Sequence, residues 1–407
     1  MSEKFDTLKD RTSKSVMNTY GRYQLALSRG KGCQLYDLDG REYLDLLAGI
    51  AVTNLGHCHP EVTRAMCDQA GELVHVSNLF FQEPQVALAE ALIATWRPGR
   101  AFFCNSGAEA NECALKLARR WAGGGRHVVI STENAFHGRT LATLTATGQP
   151  DKQAAFLPLP EGFVHVPYDD VAALDKALDP GTVAAVLLEP IQGEGGVVVP
   201  SSDYLGAVRA LCSERNALLM LDEIQTGLGR TGHWFAFQAQ GLQPDVVTMA
   251  KALGNGMPVG ACWARAEVAA AFGPGDHGST FGGQPLALAA ARATLAVMEA
   301  EDVCGRARAA GARLADGLRA LPGVVSVRGA GLLLAAQLET PVAKDAAAAA
   351  LARGLLVNAV RPDAVRVAPP LLVSDADIDT ALTILRDILS DALQTRADPV
   401  GADGGRE

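Results

Sequence analysis

The chain has 407 residues, of which 48% are hydrophobic and 20% are charged, and its formal net charge is −9. A single core usually stops growing at roughly 250–300 residues, so this length predicts one large domain and a smaller one. The charges are spread along the chain without a long basic run, which argues against nucleic-acid binding. The N-terminus has no apolar signal core and no run reaches the roughly 18 apolar residues of a membrane span, so we expect a cytoplasmic protein without membrane contact.

Eight cysteines in a chain of this length are too few for a disulfide scaffold. Cys58 lies between His57 and His59, a cluster that could suggest a metal ion. Because no second Cys/His pair stands nearby to complete a tetrahedral set, we expect no metal site.

Residues 1–82 are predicted to contain a β-hairpin, because Cys33–Tyr36 and Tyr43–Asp45 flank an Asp-Gly turn signal. We expect this segment to pack with a smaller C-terminal domain. Residues 83–298 then alternate short apolar runs with helix-like stretches, which predicts a large α/β domain with a mostly parallel sheet flanked by helices. The apolar runs are Ala101–Cys104, His127–Ser131, Val183–Leu188, Ala217–Leu221, Val246–Thr248 and Val259–Trp263.

The alanine-rich stretch Pro285–Glu299 predicts the helix that ends the large domain. Residues 299–394 combine a further helix with strands at Val324–Val327 and through Leu338, which predicts a smaller α+β domain. Residues 395–407 have almost no apolar side chains to offset the entropy cost of ordering, so we expect a disordered tail.

Two polar side chains stand at the ends of neighbouring apolar strands. Asp222 ends the run Leu218–Leu221, and Lys251 follows Val246–Met249 after a glycine-rich loop. Open α/β sheets bind ligands at this edge, where a desolvated lysine can act as an imine-forming amine. Taken singly, Asp222 is more simply a turn residue and Lys251 a solvated surface lysine.

The whole pattern, Asp-Glu-Ile-Gln, a glycine-rich loop and Ala-Lys-Ala-Leu-Gly, resembles the signature of the class III, or omega, pyridoxal-phosphate (PLP)-dependent aminotransferases. The resemblance runs from about Met17 to Leu389. It implies the PLP-dependent aminotransferase fold type I, with Lys251 and Asp222 as catalytic residues. Lys251 would hold PLP as a Schiff base, while Asp222 would pair with the pyridine nitrogen. The resemblance also assigns cofactor contacts to Glu223, Ile224 and Gln225.

Further motifs extend the resemblance to the cofactor's phosphate and ring. The turn around Gly107 and Ala108 ends a strand and opens a helix, a place that favours a phosphate. Thr280 resembles the family threonine that reaches this phosphate from the partner subunit, which implies a homodimer. Phe136 would stack on the ring, although alone it is equally well explained as a core residue.

The resemblance implies that Arg139, Ser279, Glu194 and Arg366 contact the substrates. Arg139 would hold a substrate carboxylate. Glu194 would cover Arg366 while the amino donor is bound, then release it for the dicarboxylate acceptor. The plainer alternatives are a surface charge at Arg139 and a structural ion pair between Glu194 and Arg366.

Three further segments, Ala48–Val52, Leu55–Pro60 and Val76–Phe80, match the family branch that transfers the δ-amino group of N2-acetyl-L-ornithine to 2-oxoglutarate in arginine biosynthesis. Related branches acting on ornithine, succinylornithine, succinyl-diaminopimelate or aminoadipate semialdehyde stay open as alternatives. Asn255 and Gln284 depart from the family pattern, where Gly and Asn are more usual.

Other function classes are less well supported. A dehydrogenase would be expected to carry Gly-x-Gly-x-x-Gly after an early strand, which is missing here. A non-catalytic small-molecule binding protein would have no use for a lysine at a strand end opposite Asp222. A PLP-dependent mutase or decarboxylase stays open as an alternative. Only an assay of the reaction, with amino donors and 2-oxoglutarate, would distinguish it from a transaminase.

Overall fold

The structure is a computed structural model that describes residues 2–397, with side chains described as far as residue 392. Its last helix runs to Ala397. Residues 395–397 of the predicted disordered tail, 395–407, therefore lie in this helix, which corrects the start of the tail, while residues 398–407 lie outside the described residues.

The strands are β1 Leu27–Lys31, β2 Gln34–Asp37, β3 Glu42–Asp45, β4 Arg100–Cys104, β5 Val128–Thr132, β6 Phe163–Val166, β7 Val183–Leu188, β8 Leu218–Asp222, β9 Val246–Met249, β10 Gly260–Ala264, β11 Val324–Ala330, β12 Leu333–Leu338, β13 Leu355–Leu356, β14 Asn358–Arg361 and β15 Ala364–Val367. The helices are α1 Glu3–Ser15, α2 Ala48–Ala51, α3 Pro60–Glu72, α4 Glu83–Ala94, α5 Gly107–Ala122, α6 Leu141–Ala146, α7 Pro150–Gln153, α8 Val171–Ala177, α9 Tyr204–Glu214, α10 Ala266–Ala269, α11 Pro285–Ala300, α12 Val303–Arg319, α13 Ala343–Ala352 and α14 Asp375–Ala397. Short 3-10 turns cover Ala154–Phe156, Ala236–Gln240 and Lys251–Gly254.

The central sheet has seven strands in the order β4-β10-β9-β8-β7-β5-β6. Only β10 runs against its neighbours, pairing antiparallel with both β4 and β9. Every residue of β7, β8, β9 and β10 is buried, as expected where helices cover both faces of a parallel sheet. The predicted α/β class with a mostly parallel sheet is confirmed.

The topology brings the carboxyl ends of β4, β5, β7, β8 and β9 to one edge of the sheet. Helices return the chain between these strands, except between β8 and β9, where the connection contains only the 3-10 turn Ala236–Gln240, so the segments after these strands gather at that edge. Asp222 ends β8, and Lys251 lies two residues after β9 ends. The sheet thus collects residues that are far apart in sequence.

Two smaller four-stranded sheets stand beside the central one. The predicted hairpin is present, with β2 and β3 antiparallel and Asp37 Oδ1 accepting the Asp39 and Arg41 amides across the turn. The C-terminal strand β13 pairs parallel with β3, so the N-terminal segment joins the C-terminal part of the chain. The other sheet is antiparallel, in the order β11-β12-β15-β14. The exact domain boundaries stay predictions.

The structure also bears on the membrane span and the metal site that were considered in the sequence. No helix within the described residues is long and apolar enough to cross a membrane. His57, from the cluster considered for a metal, lies 2.7 Å from the buried Asp45 through its Nε2 and Oδ2 atoms. In the described part of the chain, no three His, Cys, Asp or Glu side chains are grouped as a metal site.

Candidate active site

A cavity of about 400 Å³ opens at the carboxyl edge of the central sheet. Its wall is formed mainly by segments that follow the strands, with Val52 contributed by the N-terminal part of the chain. The lining residues are Val52, Asn105, Ser106, Gly107, Ala108, Phe136, His137, Gly138, Arg139, Glu189, Glu194, Asp222, Ile224, Gln225, Ala250, Lys251, Gly256, Met257, Pro258 and Val259.

Lys251 places its amine in this cavity from the 3-10 turn after β9. Its backbone has a φ of 39°, a left-handed conformation that is unusual for a residue with a side chain and often marks a functional position. Desolvation lowers the pKa of the Lys251 amine, although the Glu194 carboxylate opposes this shift. A lysine amine with a lowered pKa is more often unprotonated and can act as a nucleophile.

Asp222 presents a buried carboxylate to the same cavity. Its Oδ2 atom accepts hydrogen bonds from His137 Nδ1 and from Asn111 Nδ2, both at 2.8 Å, and its Oδ1 atom accepts the Ile224 amide at 3.1 Å. Thr248 Oγ1 donates to Asn111 Oδ1 at 2.7 Å and fixes the direction of that amide. Three donors therefore hold Asp222 in one orientation.

The N-terminus of α5 forms another wall of the cavity. Ser106 caps the helix by accepting the Glu109 amide at 3.2 Å. The Gly107 and Ala108 amides have no acceptor among the described residues, so they are free for an anion. A Cβ atom at Gly107 would stand 2.7 Å from Ile224 Cδ1, so any larger residue here would push the Ile224 side chain aside.

Arg366 and Glu194 form an ion pair beside Lys251. Arg366 is 1% exposed on β15, and its Nη1 atom lies 2.5 Å from Glu194 Oε1. Gln225 Nε2 donates to the same oxygen at 3.2 Å, and Asn358 Oδ1 accepts from Arg366 Nη2 at 2.9 Å. Burial opposes ionisation of Glu194, but Arg366 and Lys251 outweigh it and lower the pKa of Glu194 to about 2. The Glu194 carboxylate is therefore ionised at neutral pH.

Phe136 and Arg139 stand on the loop after β5. The Arg139 guanidinium lies 5.7 Å from the centroid of the Phe136 ring. Arg139 is exposed and forms no ion pair within the described part of the chain. Its charge is thus free to receive an anionic group at the cavity mouth.

Comparison with known proteins places this geometry in a family. The sequence profile of the aminotransferase class-III family matches residues 16–389. The chain belongs to this family. The match confirms the family predicted from the sequence. It also confirms the predicted enzyme class, an aminotransferase.

Relatives of this class-III aminotransferase match over nearly their whole length. An acetylornithine aminotransferase from Mycolicibacterium smegmatis is 51% identical, with 95% of this chain and 99% of the relative covered. An ornithine aminotransferase structure from Toxoplasma gondii, described with partial occupancy of PLP at its active site, has a TM-score of 0.92 at 36% identity, covering 97% and 96% of the two chains. The acetylornithine aminotransferase from Elizabethkingia anophelis has a TM-score of 0.86 at 33% identity, covering 96% and 100%.

Most of the site residues predicted from the sequence of this class-III aminotransferase meet in the cavity. They are Gly107, Ala108, Phe136, Arg139, Glu194, Asp222, Ile224, Gln225 and Lys251. Arg366 adjoins it through Glu194.

Besides Arg366, three predicted residues lie outside the lining of the cavity. The Glu223 carboxylate points the other way, where Oε1 accepts the Phe237 amide at 3.1 Å and Oε2 accepts Thr226 Oγ1 at 2.5 Å. Ser279 reaches the site indirectly, because its Oγ accepts from Asn105 Nδ2 at 3.0 Å. Thr280 is exposed and does not line the cavity of its own chain.

Three residues around the site, His137, Asn111 and Glu189, were not predicted from the sequence. His137 lies between Phe136 and Arg139, which were predicted. Asn111 lies one helical turn after Gly107 and so on the same face of α5, a spacing that could have signalled it. Glu189 opens the segment that contains Glu194, yet nothing in its immediate sequence separates it from an ordinary turn residue.

The two departures from the family pattern have local explanations. Asn255 has a φ of 46°, a conformation that asparagine tolerates better than most residues. Its Oδ1 accepts the Leu55 amide at 2.9 Å, and its Nδ2 donates to the Gly56 carbonyl at 3.1 Å. Gln284 caps α11, because its Oε1 accepts the Leu286 amide at 3.0 Å.

Proposed function

We propose that the chain transfers the δ-amino group of N2-acetyl-L-ornithine to 2-oxoglutarate, giving N-acetyl-L-glutamate 5-semialdehyde and L-glutamate, with PLP as cofactor. The acetylornithine aminotransferase from Mycolicibacterium smegmatis supports the choice of donor. The observation that carries the reaction type is the amine of Lys251 in one cavity with the fixed carboxylate of Asp222. The reaction belongs to arginine biosynthesis.

The residues that line the cavity can bind the phosphate, the ring and the ring nitrogen of PLP. The free Gly107 and Ala108 amides at the start of α5 would hold its phosphate. Phe136 would cover the ring, and Asp222 would pair with the pyridine nitrogen. When bound, the cofactor supplies a carbonyl carbon with which amines condense and a ring that accepts electrons.

Lys251 and Asp222 would divide the chemical work. The Lys251 amine, unprotonated more often because desolvation lowers its pKa, would hold the cofactor and move a proton at the substrate carbon that bears the amine. Asp222 would keep the ring nitrogen protonated, since a carboxylate favours a nearby positive charge. His137 and Asn111 would act through Asp222 by fixing its orientation.

The two arginines would let one site accept two substrates of different charge. N2-Acetylornithine brings one carboxylate, which Arg139 would bind at the cavity mouth. 2-Oxoglutarate brings two, of which Arg139 would take the distal one. The other carboxylate of 2-oxoglutarate, which is beside the reacting carbon, would bind Arg366 after the Glu194 side chain has moved away.

The proposal includes a homodimer in which Thr280 completes the partner's site. Thr280 is exposed and lies beside Phe281, which is 62% exposed. Leu79, Phe80 and Phe81 are exposed as well, and large exposed apolar groups of this kind mark contact surfaces. A threonine within such a surface is well placed to reach another chain.

A panel of amino donors tests the proposal. Purified protein loaded with PLP would be assayed for glutamate formation from 2-oxoglutarate with N2-acetylornithine, ornithine, succinylornithine and succinyl-diaminopimelate. We expect the highest kcat/KM with N2-acetylornithine. A kcat/KM about tenfold higher for another donor, a difference of ~1.4 kcal/mol in transition-state binding, would overturn the choice of substrate. Absence of glutamate with every donor would overturn the reaction type.

A further inference from the structure

Glu189 is a buried carboxylate in the cavity wall that the reaction proposed above does not use. It follows β7 directly and is 6% exposed. Its Oε2 atom accepts the Phe136 amide at 3.0 Å, and its Oε1 atom accepts the Gly193 amide at 3.2 Å. No cation pairs with Glu189 within the described part of the chain. One side chain therefore joins the loop after β5 to the loop after β7.

The contact with Gly193 fixes the residue that precedes Glu194. Glu189 holds the Gly193 amide, while Arg366 Nη1 donates to the Gly193 carbonyl at 3.3 Å. A Cβ atom at Gly193 would stand 1.8 Å from Gln225 Oε1, so the Gln225 side chain closes the remaining side. Gly193 is thus held on three sides, whereas the Glu194 side chain is 32% exposed and has room to move.

Burying a carboxylate at this position costs free energy. The hydrogen bonds that its two oxygens accept, from the Phe136 and Gly193 amides, offset that cost. Burial raises the pKa of Glu189 to about 7, with His137 opposing the shift and Asp222 adding to it. A glutamine would avoid the cost of burying a charge. It would also turn an NH₂ group toward one of the two amides, because an amide side chain has only one acceptor atom.

We propose that Glu189 is a positioning residue that keeps Gly193 fixed relative to Phe136 while the Glu194 side chain leaves Arg366. The need is greatest when 2-oxoglutarate binds. With the donor, Glu194 stays on Arg366 and itself holds the segment in place. With the acceptor that contact is broken, so the bond from Glu189 to the Gly193 amide must hold the segment without it. This inference rests on the exchange at Arg366 proposed above.

Glu189→Gln tests the proposal in the PLP-loaded enzyme. We expect the KM for 2-oxoglutarate to rise about tenfold and the KM for the amino donor to change less than about threefold. Glu112→Gln is the matched control. Glu112 Oε1 accepts from Thr140 Oγ1 and the Thr143 amide near the loop after β5 but does not line the cavity, and a glutamine oxygen can replace it. Its KM values should stay at wild-type levels.

Hydrogen exchange supplies a second readout that needs no cofactor. In the apoprotein, Glu189→Gln should speed exchange of the Gly193 amide while the melting temperature stays close to that of wild type. An unchanged exchange rate would overturn the contact. A fall in melting temperature with equal losses for both substrates would reduce Glu189 to a structural residue.

A double mutant separates this inference from the proposed function. If Glu189 acts through the Glu194 exchange, Glu189→Gln should raise the KM for the amino donor as well in a Glu194→Ala background, because the ion pair to Arg366 then holds the segment with neither substrate. A donor KM that stays insensitive to Glu189→Gln in that background would overturn the inference while leaving the transaminase reaction standing. Absence of glutamate formation by the wild-type enzyme would instead overturn the proposed function.

Discussion

Replacement of Arg366 by alanine should separate the two halves of the proposed reaction. Arg366 is 1% exposed, and its guanidinium donates to Glu194, Gln225, Asn358 and the carbonyl of Gly193. Truncating one partner of a buried charge pair costs about 2–5 kcal/mol. At ~1.4 kcal/mol per tenfold, the 2-oxoglutarate half-reaction should slow by about 30-fold to several thousand-fold.

The half-reactions can be followed separately by stopped-flow absorbance of the bound cofactor. The PLP form would be mixed with N2-acetylornithine, and the aminated form with 2-oxoglutarate. The donor half should be slowed much less, because the donor carboxylate would bind Arg139 and not Arg366. Arg126→Ala is a suitable control, since Arg126 Nε donates to the Val183 carbonyl at 3.0 Å, at the start of β7, and Arg126 does not line the cavity. Equal slowing of both halves by Arg366→Ala would refute the exchange and leave Arg366 as a structural partner of Glu194.

Three further predictions concern the remaining parts of the site. Asp222→Asn should bind PLP but lose most turnover, because an amide does not stabilise a protonated pyridine; near-normal rates would exclude Asp222 as the ring partner. Mixed dimers of inactive Thr280 and Lys251 variants should recover activity, since some hybrid sites keep both residues, and no recovery after verified subunit exchange would contradict the shared site. Burial raises the pKa of Glu223 from the usual 4.5 of a glutamate to about 7, so its folded form keeps a proton that the unfolded chain releases, and its contribution to stability should fall as pH rises from 4.5 to about 7. Urea unfolding of Glu223→Gln should show a weaker pH dependence in that window, and an unchanged dependence would refute the assignment.

The central sheet could be predicted because its inner strands are continuous apolar runs. Their side chains are buried on both faces of the sheet. Five strands, β1, β6, β13, β14 and β15, were not predicted. β1 is almost wholly exposed, and β6 stands at the sheet edge with a mixed burial pattern, so neither has a continuous apolar run. The predicted ends of the other strands lie within three residues of those observed, β11 differing most because it runs on to Ala330.

The site was predicted where one motif contains the residue that acts. Asp222, Gln225 and Lys251 belong to such motifs and line one cavity. Glu223 shows the limit of this reasoning, because successive side chains at the end of a strand point to opposite sides. Its neighbour Asp222 faces the cavity, so Glu223 faces Phe237.

The residues that the sequence reasoning missed act through contacts between distant segments. His137 and Asn111 meet at Asp222, which lies 85 and 111 residues further along the chain respectively. Glu189 joins Phe136 to Gly193 in the same way. Such contacts depend on the order of the strands in the sheet. They cannot be read from a single sequence before that order is known.

Borohydride reduction followed by peptide mapping tests the central claim most directly. The reductant fixes PLP permanently to the lysine that holds it, and the modified peptide can be sequenced by mass spectrometry. We predict a single modified residue, Lys251, with loss of the cofactor's visible absorbance and of all turnover. Labelling of a different lysine, or full transaminase activity in Lys251→Ala, would contradict the account.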